Sequence, residues 1–93
     1  MAAIEVIPVG STEFQVEVSE GGETTTHQVT VPDGYEEELG VGDVALADLV
    51  HESFRFLLER EPREQIMRRF ELRVIERYFP EYRTEIADRV DGG

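Results

Sequence analysis

The stretch Val44–Leu58, VALADLVHESFRFLL, sets the terms for the rest of the chain, because ten of its fifteen residues are apolar. Wound as a helix, it places Ala47, Val50, Phe54, Leu57 and Leu58 in one stripe and Leu46, Leu49 and Phe56 in another. A single stripe needs one partner. Two stripes need cover on two sides, which implies a sheet on one and helices on the other. Asp43 stands just before the run, where a helix N-cap is expected.

The sheet is written in Thr12 to Val31. Phe14, Val16 and Val18 alternate with Glu13, Gln15 and Glu17, the period of a half-buried strand. Gly21-Gly22 then suits a two-residue turn that needs positive φ. Folding there sets Phe14 opposite Val29, Val16 opposite His27 and Val18 opposite Thr25, with Glu13, Gln15 and Glu17 meeting Thr30, Gln28 and Thr26. One face is apolar and the other polar, as a correct register requires. Ala2 to Val9, with Ile4, Val6 and Pro8, is read as a short edge strand, where proline is tolerated. Two strands alone are marginal in water, so the Phe14/Val29 face requires a helix against it.

Residues 33–42 are read as an acidic loop, with Glu36, Glu37 and Glu38 set between Asp33-Gly34 and Gly40. Beyond the central helix, Glu61-Pro62 is a stop, and Pro62 fits the first position of the next helix. Residues 63–79 are read as one helix or as two with a break near Glu71, and the break is favoured. Pro80 opens a last helix with Tyr82, Ile86 and Val90 at four-residue spacing, and Asp91-Gly92-Gly93 should fray.

A chain of 93 residues buries roughly 60–65% of its unfolded surface, enough for one modest core. It has no cysteine, which excludes disulfides, thiolate metal sites and a cysteine nucleophile, and favours a cytoplasmic setting for a domain this small. No basic stretch followed by an apolar run marks a signal peptide, and no apolar run reaches the ~20 residues that span a bilayer. The net charge of −12 is unevenly placed. Residues 1–54 hold twelve acids and no Lys or Arg, while residues 55–77 hold seven Arg against five Glu. That balance opposes non-specific binding to nucleic acid or anionic membranes.

The sites for chemistry are poor. His51-Glu52 lacks the second histidine of a zinc-binding helix. His27 falls on the core side of a strand and reads as a packing residue. The acids around Glu36–Glu38 lack calcium-loop spacing. Ser11, Ser19 and Ser53 have no nucleophile-elbow context, and GVGD at 40–43 is no phosphate loop. No catalytic residue, metal site or cofactor is assigned.

Binding is better supported. REQIMRRFELRVIERYF, residues 63–79, resembles a helix-turn-helix, with Arg68, Arg69, Arg73 and Arg77 as phosphate contacts. It departs from that pattern at the turn, where Glu71 replaces the glycine. In a continuous helix Arg69, Arg73 and Arg77 would form a like-charge ladder, which calls for an acidic partner. The candidate acidic patch is Glu36, Glu37 and Glu38 of the same chain, with an acidic patch on a second protomer as the other option. The candidate interface adds Tyr78 and Tyr82 to the three arginines, since their hydroxyls tolerate a rim.

The block FELRVIERYFPEY, preceded by LVHESFRFLLEREP, is similar to a family of small uncharacterised bacterial proteins. The shared pattern is Ile66, Phe70-Glu71-Leu72, Val74-Ile75 and Tyr78 to Tyr82. The resemblance covers the C-terminal half and implies no activity.

The expectation is a single α+β domain over residues 1–93, β-rich in 1–32, an acidic loop in 33–42 and helical in 43–90. An antiparallel hairpin, with a third edge strand as an option, would be covered by three or four helices. Its role would be a non-enzymatic protein-interaction or regulatory module, with self-association included among the options. Nucleic-acid binding through residues 63–79 is the alternative. If the acidic patch and the arginines are complementary, replacing Glu36, Glu37 and Glu38 together by Gln lowers the melting temperature at low salt, and an unchanged melt and assembly state would refute that pairing.

Overall fold

The computed structural model describes residues 2–91, so Gly92 and Gly93, expected to fray, lie outside the described residues. Strands β2 (Glu13–Glu20) and β3 (Glu23–Thr30) form the hairpin in the expected register, Phe14 against Val29, Val16 against His27 and Val18 against Thr25. Its turn works because Gly21 and Gly22 adopt φ of 62° and 83°, a conformation that costs a side-chain-bearing residue energy. Strand β1 (Ala3–Pro8) is the third strand, antiparallel to β2 at the edge, with Val6 opposite Val16 and Pro8 opposite Phe14. Phe14, Val16, Val18 and Val29 are buried, while Glu13, Thr24, Thr26 and Gln28 on the other face are exposed.

The central helix is α2 (Leu46–Leu58), and it has the two-sided burial its sequence demands. Toward the sheet, the Phe54 ring lies 5.4 Å from His27 and 6.0 Å from Phe70. Away from it, Phe56 meets Tyr82 edge-on at 5.2 Å and Phe79 at 5.9 Å. Tyr82 opens α4 (Tyr82–Asp91), the covering helix. Ser53 lies between the two stripes, its hydroxyl 2.7 Å from the Leu49 carbonyl and 2.6 Å from the Tyr82 hydroxyl, so a buried polar pair is satisfied internally. Fully burying an aromatic of this kind contributes roughly 1.5–3 kcal/mol, so the two phenylalanines anchor the stack.

Four expectations are corrected. First, α2 begins at Leu46 with Ala45 at its cap and no side-chain cap bond. Asp43 is exposed in the preceding turn, which the Val44 amide closes onto the Val41 carbonyl at 3.0 Å, with Val41 buried. Second, residues 33–42 are not all loop. Helix α1 (Tyr35–Glu38) is one turn held between Gly34 and Gly40, and Tyr35, Leu39 and Val41 enter the core.

Third, residues 63–79 do not form two helices. They run as a 3-10 turn (63–65), strand β4 (Arg69–Glu71), a second 3-10 turn (72–74) and the single-turn α3 (Ile75–Tyr78). The break falls at Glu71, but the half before it is extended. Strand β4 pairs parallel to β3, with Phe70 beside Val29, and completes the sheet order β1-β2-β3-β4. The cause is tertiary. Phe70 is buried against Val29 and Phe54, and the Gln28 amide donates to the Arg68 carbonyl at 2.7 Å, so pairing overrides helix preference. This geometry removes the helix-turn-helix. Fourth, Tyr82 is fully buried rather than at a rim.

Arg63 locks the hairpin tip to this segment. Its buried guanidinium lies 3.1 Å from Glu23 and 2.9 Å from Glu64, with Glu20 at 3.9 Å. The fold is therefore α+β, a four-stranded sheet with its helices on one face. Replacing Phe54 by Ala is expected to remove about 3–5 kcal/mol in urea denaturation, whereas Arg55→Ala on the exposed side of the same helix changes stability by less than about 0.5 kcal/mol; equal losses would show that α2 is not the core element.

Candidate binding groove

Where α2 ends, the chain makes one further turn, with the Glu61 amide donating to the Leu57 carbonyl at 2.9 Å. Leu57 and Glu61 form one wall of a groove of about 460 Å³. Gln65, Ile66 and Met67 form the second wall, and Ile75, Tyr78 and Phe79 the third, with Phe70 at the base. Leu57, Ile66, Phe70 and Ile75 are buried, so the floor is fixed by the core. The lips are not. Met67 is 41% exposed and Tyr78 67% exposed, and among the described residues the only other large apolar side chain so exposed is Val9. Two of the three therefore border one hollow, which marks it apart from scattered surface apolars.

The Met67 wall is held by a buried histidine. The His27 Nδ1–H donates to the Met67 carbonyl at 2.8 Å, which leaves Nε2 to accept from the Thr25 hydroxyl at 3.0 Å. Burial lowers the imidazole pKa and nearby Arg68 lowers it further, against the raising effect of the Met67 carbonyl. The ring is thus a neutral strut between β3 and residue 67, with both nitrogens engaged. His51 is a half-exposed side chain 3.6 Å from Glu52.

Glu61 is the ionisable group that stands out. Burial alone raises its carboxyl above the ordinary range, and its side chain has no hydrogen bond or ion pair among the described residues. The cations next to it in sequence are committed elsewhere. Arg60 binds Glu81 at 3.0 Å and Glu85, and its guanidinium lies 3.6 Å over the Phe56 ring. Arg63 is taken by the hairpin tip. A partly desolvated carboxylate without a counter-ion costs stability, and such a group is a candidate contact for a ligand.

The proposed interface residues separate. Arg69 is exposed on the polar side of β4, and Arg77 is exposed on α3; neither has an acidic partner among the described residues. Arg73 is 2.7 Å from Glu38 and lies over the Tyr35 ring at 5.2 Å. The like-charge ladder does not exist, because these three arginines occupy a strand, a 3-10 turn and a separate helix. Of the acidic patch, Glu38 also accepts Arg83 through its carbonyl at 3.0 Å, while Glu37 is exposed and Glu36 is half-buried. Arg83 reaches Glu76 at 3.2 Å, and the Tyr35 hydroxyl donates to the same carboxylate. Burial, then that bond, raises the Tyr35 pKa. The acidic segment and the C-terminal arginines do meet, through Arg73 and Arg83 rather than Arg69 and Arg77. Tyr78 stands at the groove, and Tyr82 does not reach the surface.

Sequence reading missed Glu61, Ile66 and Met67 as site residues. Ile66 and Met67 pass for a helix face beside Phe70, and the three-residue alternation Arg69-Phe70-Glu71 is too short to tell against that. Among the described residues no group of three or more His, Asp or Glu is placed to hold a metal, and no helix is long and apolar enough to cross a membrane. In comparisons with known proteins, no family model, curated protein or solved structure matches the chain significantly.

The raised Glu61 pKa has a definite linkage sign. The folded state holds this proton more tightly than the unfolded chain, so the neutral acid favours folding at low pH, and that advantage is lost as pH rises through the folded pKa. Glu61→Gln is therefore expected to raise the melting temperature at pH 7, with the gain vanishing below about pH 4.3, the unperturbed glutamate value. A melt lowered at pH 7 would mean that the carboxylate is paired.

Proposed function

We propose that this chain is a non-enzymatic protein-interaction module, and that the groove between the end of α2, residues 65–67 and α3 receives an apolar side chain of a protein partner. The observation that carries this reading is the coincidence of two exposed apolar lips, Met67 and Tyr78, on one hollow with a buried floor. An aromatic and a methionine bordering a preformed pocket are the residue types that interface cores favour. The groove volume falls within the ~300–1,000 Å³ usual for ligand sites, and its walls are set by core packing, so little ordering accompanies binding. The polar face of the sheet, with Glu5 directly opposite Glu17, is acidic and solvated, and suits solubility rather than contact. A cytoplasmic setting belongs to the same reading.

Capture from native lysate on immobilised wild-type chain tests it. Met67→Glu and Tyr78→Ala are each expected to weaken retention of the captured partner at least tenfold, about 1.4 kcal/mol, while Val9→Glu, at the exposed apolar residue outside the groove, leaves it unchanged. Retention lost with Val9→Glu and kept in both groove variants would overturn the assignment.

A further inference from the structure

The groove wall formed by Leu57 and Glu61 is the carbonyl end of α2, a 13-residue helix whose dipole places partial negative charge there. Glu61 adds a full negative charge, and it is the only charged side chain that lines the groove. It is half-buried and has no hydrogen bond or ion pair among the described residues. The rest of the hollow is mainly apolar, with the exposed Tyr78 ring at its lip. Whatever enters meets an aromatic ring, an apolar floor and a carboxylate with no counter-ion.

Elsewhere in the molecule the same combination is completed by an arginine. Arg60 lies 3.6 Å over the Phe56 ring and binds Glu81 at 3.0 Å. Arg89 lies 5.8 Å from the same ring and binds Glu59. Arg73 lies 5.2 Å over Tyr35 and binds Glu38 at 2.7 Å. The groove has the aromatic and the glutamate, and no arginine lines it.

We propose that the protein segment received by the groove carries an arginine next to its apolar anchor, with the guanidinium on the Glu61 carboxylate and the stem against Tyr78. This rests on the groove being the binding surface and states the chemistry of what binds it.

An apolar anchor alone would cover Glu61 further and leave it unpaired, which costs free energy. An anchor with a cation beside it removes that cost, so the carboxylate selects between the two. Arginine fits better than lysine, because its planar guanidinium both stacks on a ring and meets a carboxylate with two N–H groups at once. The net charge of −12 acts in the same direction, drawing a basic segment toward the chain and repelling an acidic one.

Fluorescence anisotropy of short labelled peptides with the full chain tests it. The peptides share a leucine anchor and differ at the neighbouring position, which is arginine, citrulline or glutamate; citrulline keeps the shape of arginine without its charge. A further peptide keeps the arginine and replaces the leucine by alanine. The arginine peptide is expected to bind the wild type about fivefold more tightly than the citrulline peptide, with the glutamate peptide weakest. Glu61→Gln should abolish that preference, and Glu61→Arg should reverse it in favour of glutamate. Circular dichroism melts establish folding, and should Glu61→Arg fail to fold, Glu61→Gln decides alone. Loss of the leucine anchor and Tyr78→Ala should each weaken binding. Equal affinity for the arginine and citrulline peptides overturns the proposal, and so does an arginine preference that survives Glu61→Gln, which would be attraction to the overall charge. If those peptides still require the anchor and Tyr78, the groove reading stands without the arginine. Affinity indifferent to both the anchor and Tyr78 removes both readings. No binding by any peptide up to about 1 mM overturns the arginine and leaves the groove to be decided by capture from lysate.

Discussion

The fold depends on burying both faces of a single 13-residue helix in a chain that has little else to bury it with. Phe54 sends α2's weight onto the sheet and Phe56 sends it onto α4. The sheet depends on the first contact, because a hairpin with an uncovered apolar face is marginal in water. Helix α4 has no reason to dock without the second, since its own sequence is strongly polar apart from Tyr82, Ile86 and their neighbours. Cation–π contact then seals the outer side, with Arg60 stacked on Phe56 and tied to two glutamates. Replacing either phenylalanine by a polar residue would separate two layers rather than merely loosen one.

The elements that were readable in the sequence are those governed by local rules. The β2–β3 register follows from alternation and a Gly-Gly turn, and it appears residue for residue. The two stripes of α2 follow from helical spacing. What was not readable depends on partners far along the chain. Strand β4 is three residues long, too short for a period to declare itself, and it exists because Phe70 finds Val29 and Phe54. Tyr35 lay hidden in an acidic stretch because three glutamates beside it dominate the composition, while the ring itself fills the core. Tyr82 was read by its hydroxyl, but Ser53 satisfies that hydroxyl inside the protein. The groove shared this fate. Its walls come from three separate segments, and neither the Met67 exposure nor the solitude of the Glu61 carboxylate can be inferred without the packing that creates them.

Charge in this molecule is arranged by location rather than by total. The arginines facing α1, α2 and α4 are all engaged: Arg73 and Arg83 pin the acidic segment, and Arg60 and Arg89 bracket Phe56. These are mostly surface pairs screened by solvent, so their main effect is to orient segments. The exposed arginines without acidic partners among the described residues, Arg69 and Arg77, lie at the sheet edge and on α3.

The parallel seam between β3 and β4 has a kinetic consequence. It joins Gln28 to Arg69 across some forty residues of intervening chain, whereas β1, β2 and β3 are near neighbours. Closing so distant a pair comes after the ordering of everything between, and three residues of ladder return little for it. Because Met67 and Phe70 hang from that seam, the hollow takes its shape only once this long-range pairing has closed.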